Sequence, residues 1–247
     1  MGMFKDQINQ ESLPKHVAVI MDGNGRWAKK IGKARIFGHR NGVKAVRETA
    51  EAAAELGIEH LTLYAFSTEN WNRPKLEVSA LMMLLVDTLK KEINTLNKNN
   101  IKLHAIGDLT KLPKKTYKAL MDGIESTKNN TRMTLHLALN YSSRWEIIEA
   151  AKKIAVLAKE GKLDPNSVDE TEFDKHLATA GIPDPELLIR TSGERRLSNY
   201  LLYQLAYTEL YFTDNYWPEF RKVDFYKALI DFQMRERRFG MTSDQIS

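Results

Sequence analysis

A chain of 247 residues can bury a substantial core, and is short enough to do so as one domain. Its 43% hydrophobic and 28% charged content is ordinary for a globular protein, and the lack of cysteine excludes disulfides, thiolate metal sites and cysteine nucleophiles. The 37 basic against 32 acidic residues leave a formal charge of +5, which permits a polyanionic partner but equally describes a mildly basic solvated surface.

No apolar run reaches the roughly 18 residues that would span a membrane, and the polar stretch 1–15 has no signal-peptide apolar region. A cytoplasmic protein is expected, with peripheral contact at a membrane surface left open. Beyond this N-terminal extension, six short β-like runs alternate with helical stretches. They are His16–Met21, Leu61–Phe66, Ile101–Ile106, Met133–Leu139, Leu187–Ile189 and Leu210–Phe212. Between the first two, Val43, Val46, Ala50, Ala53 and Ala54 recur at helical spacing, and Gly57 closes the helix. The alternation predicts one α/β domain with a mainly parallel six-stranded sheet flanked by helices.

The helix expected over Leu76–Leu96 carries Val78, Leu81, Leu85, Leu89, Ile93 and Leu96 on one stripe, yet Leu81–Val86 is apolar on every side. Such a helix is buried all round or walls an apolar cavity. The thioethers of Met82 and Met83 suit a cavity for variable apolar ligands. The stretch Lys162–Pro185 reads as a surface excursion, and the tail 241–247 is expected to fray.

In an open parallel sheet, ligands bind beyond the carboxyl ends of the strands. The segments there are Asp22–Trp27, Ser67–Pro74, Asn140–Arg144 and Arg190–Asn199. Gly23 and Gly25 let backbone N–H groups approach an anion. Arg26, Arg35, His39, Arg73, Arg190 and Arg196 suit phosphate oxygens, with Ser67, Thr68 and Ser198 as neutral donors. Asp22 and Glu209 are hard oxygen ligands of the kind Mg²⁺ takes together with substrate phosphates. Each part is weak alone: a Gly-x-Gly is usually a turn, a lone acid a cap, and Trp27 or Trp71 packing. Their joint placement at strand ends points to two phosphate-rich ligands.

These segments, read as His16–Lys30, Gly38-His39, Leu61–Pro74, Asp184–Glu194, Arg196–Asn199, Glu209–Phe212 and Trp217–Phe220, resemble the cis-prenyltransferases from about His16 to Gly240. The resemblance implies a catalytic domain over 16–240 with an apolar tunnel. The implied reaction is Mg²⁺-dependent condensation of isopentenyl diphosphate onto an allylic primer, expected to be farnesyl diphosphate. The product would be a long-chain cis-polyprenyl diphosphate of undecaprenyl type, the lipid carrier precursor for cell-wall polysaccharide. A shorter-chain synthase is the near alternative. A basic nucleic-acid-binding module is the distant one, disfavoured because the arginines are dispersed among strand ends and no binding motif appears.

By the same resemblance Asp22 is the central catalytic carboxylate and holds the metal with Glu209. Gly23, Asn24, Gly25, Arg26, Trp27, Arg35 and His39 grip the allylic diphosphate. Ser67, Thr68, Glu69, Trp71 and Arg73 line the reacting centre. Arg190, Arg196, Leu197 and Ser198 bind isopentenyl diphosphate. Asn70 is the candidate for the proton-removal step; an amide is no base near neutral pH, so a positioning role is expected. The Arg238-Phe239-Gly240 segment implies a homodimer in which Arg238 reaches the partner's site. Ser142-Ser143 and Tyr203 stand where the family favours two glycines and tryptophan.

Overall fold

The computed structural model describes residues 2–246. Its strands are β1 (His16–Ile20), β2 (His60–Ser67), β3 (Ile101–Ile106), β4 (Met133–Tyr141), β5 (Leu187–Arg190) and β6 (Glu209–Phe212). They form one sheet in the order β3-β4-β2-β1-β5-β6, and every neighbouring pair is parallel. All carboxyl ends therefore open on one edge. β1 is buried at all five positions, as both faces of a covered parallel sheet require.

The helices are α1 (Gly2–Lys5), α2 (Asn24–Lys30), α3 (Arg35–Leu56), α4 (Lys75–Lys98), α5 (Lys114–Thr127), α6 (Ser143–Lys159), α7 (Glu170–Asp174), α8 (Lys222–Gln233) and α9 (Ser243–Ile246). One sheet face, with Val17, Val19, Leu61, Leu63 and Ile189, belongs to the larger core together with α3, α4 and α8. The other face, with Ala18, Ile20 and Leu188, packs against Tyr200, Leu201 and Leu205. The small residues Ala45, Ala52 and Ala53 let α3 lie close to its neighbours. Gly57 ends α3 at φ 90°, a left-handed position that favours glycine.

The N-terminal extension is no loose arm, since Ile8 is buried in the core and Asn9 exchanges hydrogen bonds with Gln233 at the end of α8. The Lys162–Pro185 stretch holds α7 and buries Leu177. In the tail, Met241 and Thr242 are exposed ahead of α9; Ser247 lies outside the described residues.

Helix α4 corrects one expectation. Met82 is buried, but Met83 is 63% exposed on the outer surface. The helix is neither buried all round nor aimed inward with both methionines, because α3, α5 and β3 pack on only part of its circumference, its inner side. Against that side lies a cavity of about 250 Å³, bounded by α3 residues such as Val43 and Val46, by Leu81, Met82, Leu85 and Leu89 of α4, and by sheet residues including Leu63, Leu135, Leu137 and Leu139.

Four of the six histidines meet on the opposite sheet face, one each from β1, β2, β3 and β4. His16 Nδ1 lies 2.6 Å from the Pro183 carbonyl, which can only accept. Nδ1 therefore carries the proton and Nε2 accepts from the Thr62 hydroxyl, at 2.6 Å. His136 faces His60 Nδ1 through Nε2 and His104 Nδ1 through its own Nδ1, each at 3.0 Å. Each such contact needs one N–H and one lone pair, which neutral rings supply. Among the described residues, no three His, Cys, Asp or Glu side chains are placed to hold a metal.

Burial pushes His16 down to about 4 and, reinforced by neighbouring histidines and Lys102, pushes His136 down to about 2. His60 and His104 are lowered by burial as well. The unfolded chain takes up protons below about pH 6.5 that the native cluster refuses, so stability is level above that pH and falls beneath it. His16 alone accounts for on the order of 3 kcal/mol by pH 4. The urea midpoint is expected to drop clearly between pH 7 and pH 5, and His136→Asn should flatten that dependence. Equal midpoints at the two pH values would refute a neutral cluster.

Candidate active site

The loop after β1 turns at Gly23, the N-cap of α2, with φ 101°. A Cβ there would meet Tyr216 Cδ1 at 2.7 Å and Ser192 Cβ at 2.8 Å, so the backbone sits in a slot only glycine fits. Asp22 precedes it at the sheet edge. Its Oδ1 accepts from the Gly23 N–H at 2.6 Å. Its Oδ2 receives Arg190 Nη2 at 3.0 Å and Arg26 Nη2 at 3.1 Å. Burial acts to raise the Asp22 pKa, but the Arg190 hydrogen bond, the Arg26 charge and the Gly23 N–H outweigh it and hold the carboxyl below the usual range. Asp22 is thus anionic at neutral pH.

Arg190, the last residue of β5, is only 3% exposed. It donates to Ser198 Oγ at 2.8 Å and to the Arg196 carbonyl, while its buried Nε has no partner among the described residues. The loop it braces is strained, with Ser192, Ser198, Asn199 and Leu201 all at positive φ. Leu197, partly buried, packs on the second core.

Two acids to which the sequence assigns no role organise the arginines. Glu194 accepts from Arg26 Nη1 at 2.8 Å and also from Arg196. Glu77 lies 3.2 Å from Arg73 Nη1 and 3.4 Å from Arg35 Nε. Each carboxylate joins two guanidiniums from different loops and holds them together ahead of an anionic ligand. The only sequence signal is local: Glu77 follows Arg73 at i+4, and Glu194 precedes Arg196 by two residues.

His39 lines the cavity together with Asn24, Asn70 and Arg73, at its end nearest the carboxyl edge of the sheet. Burial, then the charge of Arg73, push it down to about 4 against the opposing pull of Glu77. Without a bound anion its imidazole is therefore neutral at pH 7.

In the 3-10 turn Thr68–Asn72, Asn70 Oδ1 accepts from the Ser67 N–H at 3.2 Å, which leaves its amide NH₂ as the available group. Thr68 donates to Glu69, and Glu69 accepts from Asn199 Nδ2 at 2.7 Å, tying this turn to the Arg190 loop. Trp71 donates to Asn140 Oδ1 at 2.7 Å, and Trp27 donates to Glu219 at 3.0 Å while stacking on Phe37. Ser142 has an extended φ of −154° and Ser143 begins α6, so neither position needs glycine. The Ser143 hydroxyl accepts from the Leu202 N–H at 3.0 Å. Tyr203 packs its ring against Phe173.

Gly38 and Gly42 set the α2–α3 approach. A Cβ on Gly38 would lie 1.9 Å from the Asn24 carbonyl oxygen, and one on Gly42 would lie 2.4 Å from Asn24 Oδ1. Gly25 sits 3.1 Å, at its notional Cβ, from the Arg35 guanidinium. Gly38→Ala should therefore push α2 outward, costing about 1–3 kcal/mol and raising KM for an allylic diphosphate by about tenfold or more. Thermal melting and steady-state kinetics check this; an unchanged KM would mean that α2 does not position the ligand.

Glu209 requires a correction. It pairs with Leu187, which pairs with Val17, so it stands at the amino-terminal edge of the sheet. Asp22 lies five residues further along, roughly 16 Å at ~3.3 Å per residue and two strands across. One metal ion cannot touch both within one chain. Glu209 instead forms a 2.9 Å ion pair with Arg235. Arg238 is bonded to Glu236, next to Arg237, whose guanidinium reaches Glu186 on that same edge. Asp22 remains as the candidate metal ligand, its carboxylate beside Arg26 and Arg190. That donor set fits Mg²⁺ as the ion binds when phosphate oxygens complete its shell.

A covered parallel sheet with an arginine-lined carboxyl edge over an apolar cavity defines an enzyme for diphosphate esters of apolar chains. Residues 20–240 match the family model described as putative undecaprenyl diphosphate synthase, and the chain belongs to that family, the prenyltransferases of cis type. An isoprenyl transferase of Chlorobaculum tepidum is 52% identical over 95% of this chain and 88% of its own length. A (2E,6E)-farnesyl-diphosphate-specific ditrans,polycis-undecaprenyl-diphosphate synthase of Haemophilus influenzae is 49% identical over 96% of this chain and 99% of its own. Lavandulyl diphosphate synthase from Lavandula x intermedia, solved with dimethylallyl diphosphate, superposes with a TM-score of 0.90 at 40% identity, over 93% of this chain and 99% of that one.

Proposed function

We propose that this protein is a ditrans,polycis-undecaprenyl diphosphate synthase, adding isopentenyl diphosphate units to farnesyl diphosphate. The observation that carries the reading is the juxtaposition of Asp22 and its guanidiniums with the apolar cavity, which Met21 and Asn24 on either side of Asp22 line. The ionised head of an allylic ester would sit at Gly23–Trp27, Arg35 and His39 with its chain directed inward. Isopentenyl diphosphate would sit at Arg190, Arg196 and Ser198.

In the reaction the allylic C1–O bond breaks and diphosphate leaves with the electron pair. The alkene carbon of isopentenyl diphosphate bonds to C1, and a proton is lost from the neighbouring methylene to give the cis double bond. Mg²⁺, held by Asp22 with substrate phosphate oxygens, would supply charge neutralisation for the leaving group. Arg26 and Arg35 supply preorganised positive charge at the same place. The Asn70 amide orients a diphosphate, whose oxygen accepts the proton. Phe66, Leu63 and the α4 wall exclude water from the cationic carbon.

The reading extends to a homodimer. Glu209 and Arg238 stand on the edge opposite Asp22, so each would serve a diphosphate only in a partner's site. Mixing inactive Asp22→Ala with Arg238→Ala protein should restore activity through mixed dimers; no recovery after subunit exchange would remove the trans role. The product is expected to serve as a lipid carrier precursor in cell-wall polysaccharide synthesis, made in the cytoplasm. Incubation with farnesyl diphosphate, labelled isopentenyl diphosphate and Mg²⁺ tests the reaction itself. Cis-polyprenyl diphosphates are expected; no elongation, or all-trans products, would overturn it.

A further inference from the structure

The turn Thr68–Asn72, which carries Asn70, begins where regular strand pairing ends. β2 runs in step with β4 as far as Tyr64, and the register slips at Phe66 and again at Ser67. Backbone pairing therefore does not fix where the turn stands. Side chains do so at two points, one on each side of Asn70. Glu69 accepts from Asn199 Nδ2 at 2.7 Å, and Trp71 Nε1 donates to Asn140 Oδ1 at 2.7 Å.

The second point is built on a rigid base. Asn140 is 2% exposed and sits near the end of β4 at φ 48°, a left-handed conformation that asparagine tolerates better than most residues with a side chain. Its Nδ2 donates to the Asp108 carbonyl at 2.8 Å, and its own carbonyl accepts from the Asp108 N–H at 3.2 Å. The indole N–H can only donate and the Asp108 carbonyl can only accept, so one orientation of the amide serves both. Asp108 follows Gly107, at φ 122°, where a Cβ would come within 2.1 Å of the Leu139 carbonyl oxygen. The chain after β3 is thus pressed against β4, and Asn140 passes that rigidity to Trp71. The Trp71 ring also meets buried Phe66 edge-on, with centroids 5.0 Å apart. Glycine would take the backbone conformation of Asn140 without either side-chain hydrogen bond. The asparagine is needed for its amide and not for the bend.

We infer that Asn140 is a positioning residue for prenyl transfer: through the Trp71 indole it sets where the turn presents the Asn70 amide. Asn70 Oδ1 accepts from the Ser67 N–H, so that amide moves with the turn. A displacement of about 1 Å at such a group costs on the order of 10²-fold in rate. The role rests on the proposed reaction and on the place of Asn70 in it; the tether from Asp108 to Trp71 does not.

Kinetics of Asn140→Gly, Trp71→Phe and the double variant test the inference. Trp71→Phe removes the N–H from the other end and leaves β4 untouched, so the test survives a destabilised glycine variant. Asn140→Gly should lower kcat with farnesyl and isopentenyl diphosphates by about 30-fold and leave KM for the allylic ester within about threefold, since its grips lie on α2 and α3. In the Trp71→Phe background the same change should cost no more than about twofold further. A proton–nitrogen correlation spectrum of the protein without substrate reads the tether directly. Its four tryptophans give four indole N–H signals, and Trp71→Phe identifies one by its loss. Asn140→Gly should shift that signal and speed its exchange with solvent by about tenfold or more.

Losses that multiply in the double variant, a kcat of Asn140→Gly within about twofold of the parent, or an unmoved Trp71 indole signal would each overturn the inference. A rise in the allylic KM matching the fall in kcat would give Asn140 a general binding role instead. A tether seen in the spectrum of a parent that transfers no prenyl group would sink the proposed reaction and this role with it. An active parent with an unmoved indole signal would sink the role alone.

Discussion

Asp22→Asn is expected to lower kcat by roughly 10³-fold while changing stability by only about 1 kcal/mol. The asymmetry follows from geometry. The amide keeps one oxygen for the Gly23 N–H or for Arg190, so the loop retains its main hydrogen bond. What it loses is the negative charge that Arg26 and Arg190 focus at one carboxylate oxygen. Glu209 is at the far edge, and Glu194, across the Arg26 guanidinium, is engaged by Arg26 and Arg196. The Mg²⁺ concentration for half-maximal rate should therefore rise along with the loss in kcat. Steady-state kinetics across a Mg²⁺ series, with a melting curve, separate these terms. Activity within tenfold of the parent at the same Mg²⁺ would remove Asp22 from the central role.

The second large effect is on product length. Leu139, Leu137 and Leu135 point to the same sheet face from alternate positions of β4, and all three line the cavity. Leu139 lies toward the carboxyl edge, where diphosphates are expected, and Leu135 about 13 Å deeper. A bulky residue should stop the growing chain at its own depth. Leu139→Trp is expected to give the shortest products, Leu137→Trp intermediate ones, and Leu135→Trp products closest to the parent's. Leu137→Ala should lengthen them. Leu85, across the cavity on α4, should behave like the strand positions when enlarged. Overpacking costs about 1–3 kcal/mol at such sites, so each variant's melting point must accompany the product analysis. The same length distribution across the series would mean that the chain grows elsewhere.

Local chemistry makes several features legible in the amino-acid sequence. The six strands are readable to within two residues because fully covered parallel strands are continuous apolar runs bounded by polar loops. The end of α3 is readable because Gly57 must adopt a left-handed conformation. Four polar strand-end segments can be assigned to one edge because parallel strands share their direction.

Other features are hidden for identifiable reasons. Met82 and Met83 are equivalent by composition; only the packing of α3 and the sheet against one side of α4 sends the first inward and the second outward. Glu77 and Glu194 look like ordinary surface acids until two loops bring a pair of arginines to each. His39 reads only as a phosphate-binding group; that burial and Arg73 make its charged form costly is visible in the fold alone. The four-histidine cluster draws one ring from each of four strands, and no local pattern announces it.

Asp22–Trp27 marks the division most clearly. By itself the sequence determined that a glycine turn, an acid and an arginine follow the first strand, because backbone conformation and side-chain chemistry are local properties. Which partners those groups meet depended on strand register. Register placed Arg190 against Asp22 and carried Glu209 to the opposite edge, and only the tertiary structure could decide that. Pairing across a sheet joins residues more than 160 positions apart, and its geometry is set by the packing of the whole chain.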